Sequence, residues 1–391
     1  MRKLIAVSVV LALLSVAAFA QPSIGGSLGA KVTIIQSDTA DTTDGQLWSG
    51  IKFNNRHVNV TYSNSDGTAG GLVRLYAAGA KGYWGDLPFA FGWWKPIPQL
   101  RVQIGHNPDG DFGAAQITGW GFNAEAQDSV AIDQDSGDSP ARGWSAARRN
   151  GFYGGFGEFG VALSVYPMDG LTVNIVLPFG LGRNENEPNR YNGWSGARVE
   201  EVFSKVHLNV VFALPDVGAL RVTFQGTGGL DDDITASAGN VYASFYLTAI
   251  EGLGLDLGVG LGIPYKDNDQ NYNPEGVGIG LGVRYVAGDF GIKARFGTKV
   301  LREVAGAKQD TIIGLVFLPY YNFSGLTGYL NAGFGIVIPE NGDQTVDWFI
   351  NPYIRKSVSA FTFYAGFKLW SDGGDDPITR WAIPIGFNAY F

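Results

Sequence analysis

Residues Arg380 to Phe391 read RWAIPIGFNAYF, and counting back from Phe391 every second side chain (Ala389, Phe387, Ile385, Ile383, Trp381) is apolar. The residues between them are small or polar. Alternation with period two marks a strand whose two faces meet different surroundings. A strand at this place has no following element to close against, so its partner is expected elsewhere in the chain. The fold therefore turns on whether the remaining sequence is built of similar strands, and on which of their faces meets water.

The N-terminal segment bears on the second question. Arg2 and Lys3 precede an apolar core from Leu4 to Val16, and Ala18-Phe19-Ala20 gives a small-x-small cleavage pattern before Gln21. This predicts a secretory signal peptide over residues 1–20 and a mature chain over 21–391. Cysteine is absent, so neither a lipidated cysteine nor a disulfide framework is expected. No later apolar stretch approaches the ~18 residues that a membrane-crossing helix needs. An exported chain of this kind is expected to be either a soluble protein or a membrane barrel.

Composition separates the two. The chain has 57 Gly, 25 Phe, 17 Tyr and 10 Trp, with only 16% charged residues, and amphipathic helical periodicity is nearly absent. The net charge of −8 includes Arg2 and Lys3, so the mature chain sits nearer about −10, a balance that argues against nucleic acid as a partner.

From Leu100 onward one phrase repeats: alternating strand, tight turn, alternating strand, longer polar loop. The tight turns fall at 96–99, 167–170, 215–218, 251–252, 287–289 and 322–325, where Pro, Gly and Asp supply the backbone angles a short turn needs. The longer connections fall at 183–198, 230–240, 266–275, 301–310, 339–347 and 371–379. Short and long strictly alternate, which places all short turns on one rim and all long loops on the other, the layout of transmembrane barrels.

Eighteen strands are expected, at 24–37, 47–63, 71–80, 88–95, 99–106, 152–166, 171–182, 200–213, 219–228, 240–250, 253–264, 276–286, 289–299, 311–321, 326–338, 347–357, 360–370 and 380–391. Were 81–95 a loop, the number would be 16. The first strand begins soon after the expected cleavage site, which leaves no room there for a plug domain. Leu220, Val222 and Phe224 alternate with Arg221, Thr223 and Gln225, and Ile292, Ala294 and Phe296 alternate with Lys293 and Arg295. A soluble β-protein would turn the apolar face inward onto a core. Against that stand Gly276, Gly278, Gly280 and Gly282, interleaved with Val277, Ile279, Leu281 and Val283. A face without side chains makes a poor core but suits a lumen. These glycines match no dinucleotide fingerprint, having period two and no helix after them. The expected class is thus all-β, a transmembrane antiparallel barrel with greasy side chains outward. Trp48, Trp84, Trp194, Trp348, Trp370 and Trp381 would lie near long loops, and Trp93 and Trp94 near the turn at Pro96, as interfacial girdles.

One connection breaks the rhythm. After His106 no alternating strand returns until about Phe152, and a connection this long is usually functional or disordered. Phe112, Ile117, Trp120, Phe122 and Trp144 supply apolar anchors for it. In layout the chain resembles bacterial outer-membrane porins, and the terminal strand resembles the C-terminal signal by which such proteins are recognised for assembly. The tract from Gly92-Trp93-Trp94-Lys95-Pro96 to Asp109-Gly110-Asp111 also resembles spirochaete outer-membrane barrel proteins. The resemblance implies that the third external loop, 107–150, folds into the barrel as a constriction. It further implies an outer-membrane location, surrounding lipid, and passive diffusion of small hydrophilic solutes or ions. Whether the chain forms a homotrimer is left open.

The candidate lining follows from the alternation. Arg74, Arg101, Lys205, His207, Arg221, Arg284, Lys293, Arg295 and Lys368 fall on the inferred lumen face. The long loop carries Asp109, Asp111, Glu125, Asp128, Asp133, Asp135 and Asp138, then Arg142, Arg148 and Arg149. An acidic loop against a basic wall sets up a transverse field; alternatively these charges only keep the lumen wet. His57, His106 and His207 are far apart with no Ser-His-acid spacing, so no enzyme is expected. Asp267, Asp269 and Asn271 resemble the start of a calcium loop, but Tyr272 stands where glycine is needed and no Glu follows at the twelfth position. A solvated acidic rim is the plainer reading, and no cofactor is expected. Two rivals remain: an adhesin or receptor that works through its acidic loops, and a sugar- or lipid-specific channel, which would need an aromatic track of which Tyr329 and Tyr364 are the hints.

Overall fold

The structure, a computed structural model, describes residues 22–37, 45–47, 51–78, 83–106, 159–178, 183–184, 187–191, 206–226, 239–263, 277–300, 311–371 and 379–390. Strands account for nearly all of them. In chain order these are β1 Ser23–Ser37, β2 Ile51–Ser63, β3 Ala69–Ala78, β4 Tyr83–Ile97, β5 Leu100–His106, β6 Phe159–Met168 and β7 Leu171–Pro178. There follow β8 His207–Leu214, β9 Gly218–Gln225, β10 Gly239–Ile250, β11 Leu253–Ile263, β12 Val277–Ala287 and β13 Phe290–Val300. The last are β14 Thr311–Phe323, β15 Leu326–Ile338, β16 Thr345–Val358, β17 (Phe361–Gly366 continued by Lys368–Ser371) and β18 Thr379–Tyr390. Gly45–Leu47 prolongs the β1–β2 hairpin, and Arg183–Asn184 pairs with Glu187–Tyr191 in a separate small ribbon.

Each strand is antiparallel to its sequence neighbours, and β18 pairs with β1, with Tyr390 opposite Ser27 and Ile385 opposite Val32. Eighteen strands therefore close on themselves and leave no edge to template aggregation. Because Tyr83–Ile97 is a strand, the larger of the two expected counts holds. The expected boundaries hold to a few residues, except that β6 and β8 begin at Phe159 and His207, and the residues before Phe159 and before Val206 lie outside those described.

Short turns lie on one rim, as the sequence implied. Ser324 and Gly325 have φ of 49° and 75°, the positive pair that a two-residue hairpin matching the strand twist requires. Asp169-Gly170, Glu251-Gly252 and Gly288-Asp289 close neighbouring hairpins in the same two-residue manner.

The two faces differ as the alternation demands. Leu220 and Val222 are 46% and 50% exposed, whereas Arg221 and Thr223 between them are 4% and 2%. Val277, Ile279 and Leu281 are likewise exposed, opposite in sense to Gly278, Gly280 and Gly282. A chain that exposes its aliphatic side chains all round the outside and buries its polar ones has the solvent preferences of lipid outside and polar matter within.

β17 shows how a local sequence conflict is resolved. Pro352 on β16 has no N–H to give the ladder, and the neighbouring strand is interrupted opposite it, between Gly366 and Lys368. The Asn351 side chain fills the gap, its Nδ2 donating to the Phe367 carbonyl at 2.7 Å. The register on either side is unchanged.

Two tryptophan placements need correction. Trp94 is exposed outward, but Trp93 pairs with the buried Gln103 and carries the Arg101 guanidinium 4.9 Å above its ring. Trp370 is 7% exposed with the Lys368 ammonium 4.2 Å above it. Both rings face inward, because their strand parity is that of the cations beside them. Trp381 remains outward, stacked on Phe367 with centroids 6.5 Å apart. The side chains of Trp48, Trp84 and Trp194 lie outside those described.

Candidate functional site

The inner wall collects the polar chemistry of the chain. Strand register sets Arg101, Ser164, Asn174, Asn209 and Thr223 side by side on five consecutive strands, β5 to β9. Asn209 Oδ1 accepts from both Arg221 Nε, at 3.0 Å, and Thr223 Oγ1, at 3.1 Å. One carbonyl thus fixes a guanidinium and a hydroxyl from the next strand, so the Arg221 charge is held rather than trailing on a flexible stem. Gln103, Ser164, Asn174, Asn209 and Thr223 are each at most 2% exposed. This part of the wall is both polar and covered.

The next sector is crossed by a row that has no side chains. Gly258, Gly280, Gly297, Gly314 and Gly335 pair in register across β11 to β15. The row is flanked by Ser244 and Arg221 at one end and Asp347 at the other. One row nearer the short-turn rim, Asp256 pairs with Gly282, which pairs with Arg295. A Cβ on Gly282 would stand 3.3 Å from the Asp256 Cβ and 3.7 Å from Oδ2. The bare glycine leaves open space between Asp256 and Arg295, and the Arg295 and Arg221 guanidinium groups act on the buried carboxyl through their charge. Opposite charges facing each other in a low-dielectric wall attract more strongly than they would in water.

Aromatic side chains gather at the short-turn side of β14 to β17. Tyr329 and Tyr353 stack at 4.6 Å with 4° between their planes, and Tyr320 tilts against Tyr329 at 5.6 Å. Tyr364 donates its hydroxyl to Asn388 Oδ1 at 3.2 Å. Tyr320 lies over Gly291, in the space a Cβ there would occupy. Tyr353 and Tyr364 are each 6% exposed, so Tyr353 turns its face to Tyr329 rather than to an open passage.

The predicted strand-borne lining residues that are described lie on this wall. Arg74 donates Nε to Asn59 Oδ1 at 2.7 Å on β3. Arg101, His207, Arg221, Lys293, Arg295 and Lys368 share the inner face, the last five nearly buried. Arg284 is exposed near the short-turn rim and is the direct register partner of Lys293. Lys205, the loop residues Asp109, Asp111, Asp133, Asp135, Asp138, Arg142, Arg148 and Arg149, and the calcium-loop trio Asp267, Asp269 and Asn271 all lie outside the described residues. Among the described residues no cluster of three metal-ligating side chains occurs.

Sequence reasoning missed Asp256 and Asp347 as lining residues, and missed Trp93 as the aromatic base for Arg101. Asp256 was within reach: it is the single charge in LGLDLGVG and shares the parity of Gly258 and Gly260.

No family model matches this sequence, and no curated protein does. Among solved structures it is similar to OccK9 (OpdG) of Pseudomonas aeruginosa, at 11% identity over 95% of this chain and 99% of that one, TM-score 0.53. It is also similar to OccK5 (OpdH) of the same organism, at 11% identity over 94% of this chain and 98% of that one, TM-score 0.50. At such identity the likeness is one of fold: a closed antiparallel β-barrel like those of outer-membrane channels.

Proposed function

We propose that the chain is a porin that lets small hydrophilic solutes diffuse passively across the outer membrane, with a preference for anions. The observation that carries this reading is the inner wall of the closed ring. Arg74, Arg101, Arg221, Lys293, Arg295 and Lys368 face inward against only Asp256 and Asp347 among the described strand residues. A ring of sixteen to eighteen strands is wide enough for an aqueous channel, and rings of fixed cations select for anions.

The segment 107–150 is the constriction of this channel. Its support is the cover on β5 to β9: in an open tube of this width, Gln103, Ser164 and Asn174 would be wetted, yet they are at most 1% exposed. The long connection leaves directly from β5. Planar-bilayer conductance tests this part. Deleting 112–145 is expected to raise single-channel conductance, and an unchanged value defeats the constriction role.

The solute-specific reading has one observation in its favour, the inward tyrosines. Their mutual stacking and burial argue against an open track for a sliding ring, so the general channel is preferred. An anchor for adhesive loops would conduct little, which the same recordings distinguish.

A further inference from the structure

Among the described residues the outer face of the ring is largely apolar and carries a single charge. Among the strand residues whose side chains are described, Lys356 is the only charged one that alternation turns outward. It is exposed, lies two residues before the end of β16, and makes no ion pair or hydrogen bond with a described side chain. At a rise of about 3.3 Å per residue it sits roughly 7 Å inside the short-turn rim, within reach of the headgroup level for a long cationic stem.

Lys356 does not stand on a flat surface. Beside it the outer wall is indented where small or ring-constrained residues replace tall ones. Gly328, Pro352 and Ala365, with Tyr321, Leu330 and Ile354, line a shallow open groove of about 480 Å³. A second lobe of about 340 Å³ shares Ile354 and Ala365 and continues past Phe363, Ile385 and Phe387 to Lys356 and Arg355. In register Ala365 lies between Ile354 and Ile385, so the two lobes meet over its methyl group.

We propose that this two-lobed recess is a binding site for one anionic phospholipid of the leaflet at the short-turn rim, with an acyl chain in each lobe and the phosphate on Lys356. The apolar lobes alone would accept any hydrocarbon. The charge at their rimward end selects a ligand with an anionic group at that depth, which a membrane phospholipid has and a free solute in the lumen does not. The site faces lipid, so it is independent of conduction through the ring.

Native mass spectrometry of the purified barrel in detergent tests it, with dioleoyl phosphatidylglycerol as probe and dioleoylglycerol, which has the same tails without phosphate, as comparison. The expected result is one phosphatidylglycerol retained per barrel, with retention falling at least tenfold in Lys356→Glu and in Ala365→Trp. Lys356→Gln serves if the glutamate variant does not fold, as read from heat-modifiable gel migration. Leu257→Trp, outward on β11, is the control and keeps retention. Equal retention of dioleoylglycerol, or variants that hold lipid as well as the parent, overturns the proposal. So does loss of an oligomer in Ala365→Trp without loss of lipid, which would make the recess a contact between two copies of this chain.

Discussion

In the turn between β2 and β3, Asp66 accepts from the Thr68 amide at 3.1 Å and from the Thr68 hydroxyl at 2.8 Å. Those bonds hold its carboxyl below the usual carboxylate range. A folded-state value below the unfolded one means the contribution is complete above the ordinary carboxylate pKa and is lost as pH falls through the depressed one. Hydrogen-exchange protection of Thr68 should therefore be constant near neutrality and fall only in acid, and Asp66→Ala should abolish that fall. Asn351 is a second test at this scale. Replacing it with Ala leaves the Phe367 carbonyl without its side-chain donor and should cost about 1 kcal/mol, measured by urea unfolding of the barrel in lipid vesicles. The role of Asn351 was not readable beforehand. The donor and its acceptor are 16 residues apart in sequence, and only the register brings them together. Pairings such as Asp256 with Arg295 stayed hidden for the same reason, although the face each residue occupies was plain from parity.

At the level of the strand, what the sequence conveyed best was orientation. Alternation is a binary signal repeated along each strand, so a single misread residue does not invert a face. Proline and glycine turns then fixed the connections on one rim. Tryptophan misled the reading, because an aromatic ring is equally at home in a lipid interface and over a guanidinium. Trp93 and Trp370 chose the cation. Glycines that admit a neighbour were also invisible. Gly291 makes room for the Tyr320 ring on the next strand, so Gly291→Val should displace that ring and destabilise the barrel by about 1–3 kcal/mol, as overpacking does. Thermal unfolding followed by loss of heat-modifiable migration measures it, and Gly258→Ala, in the bare glycine row, should be far milder.

Across the whole molecule the fold class and the strand number were legible, whereas the disposition of the longest connection was not, since it has no periodicity to read. Its effect is still measurable. In bilayers under a salt gradient the reversal potential should report anion preference, and the double variant Arg221→Ala, Arg295→Ala should lower the anion-to-cation permeability ratio by roughly twofold or more. An unchanged ratio would mean that charges elsewhere set the selectivity.

The seam between β1 and β18 has a consequence of its own. Ser27 and Tyr390 face each other at that join, so the two extremities of the described chain are neighbours in space and no seam differs in kind from any other. A gene in which they are bridged by a short glycine-serine spacer and reopened at Gly288-Asp289 should yield a circularly permuted barrel with the same ring of hydrogen bonds. Where translation starts would then govern the order in which strands emerge, and leave the finished hoop unaltered.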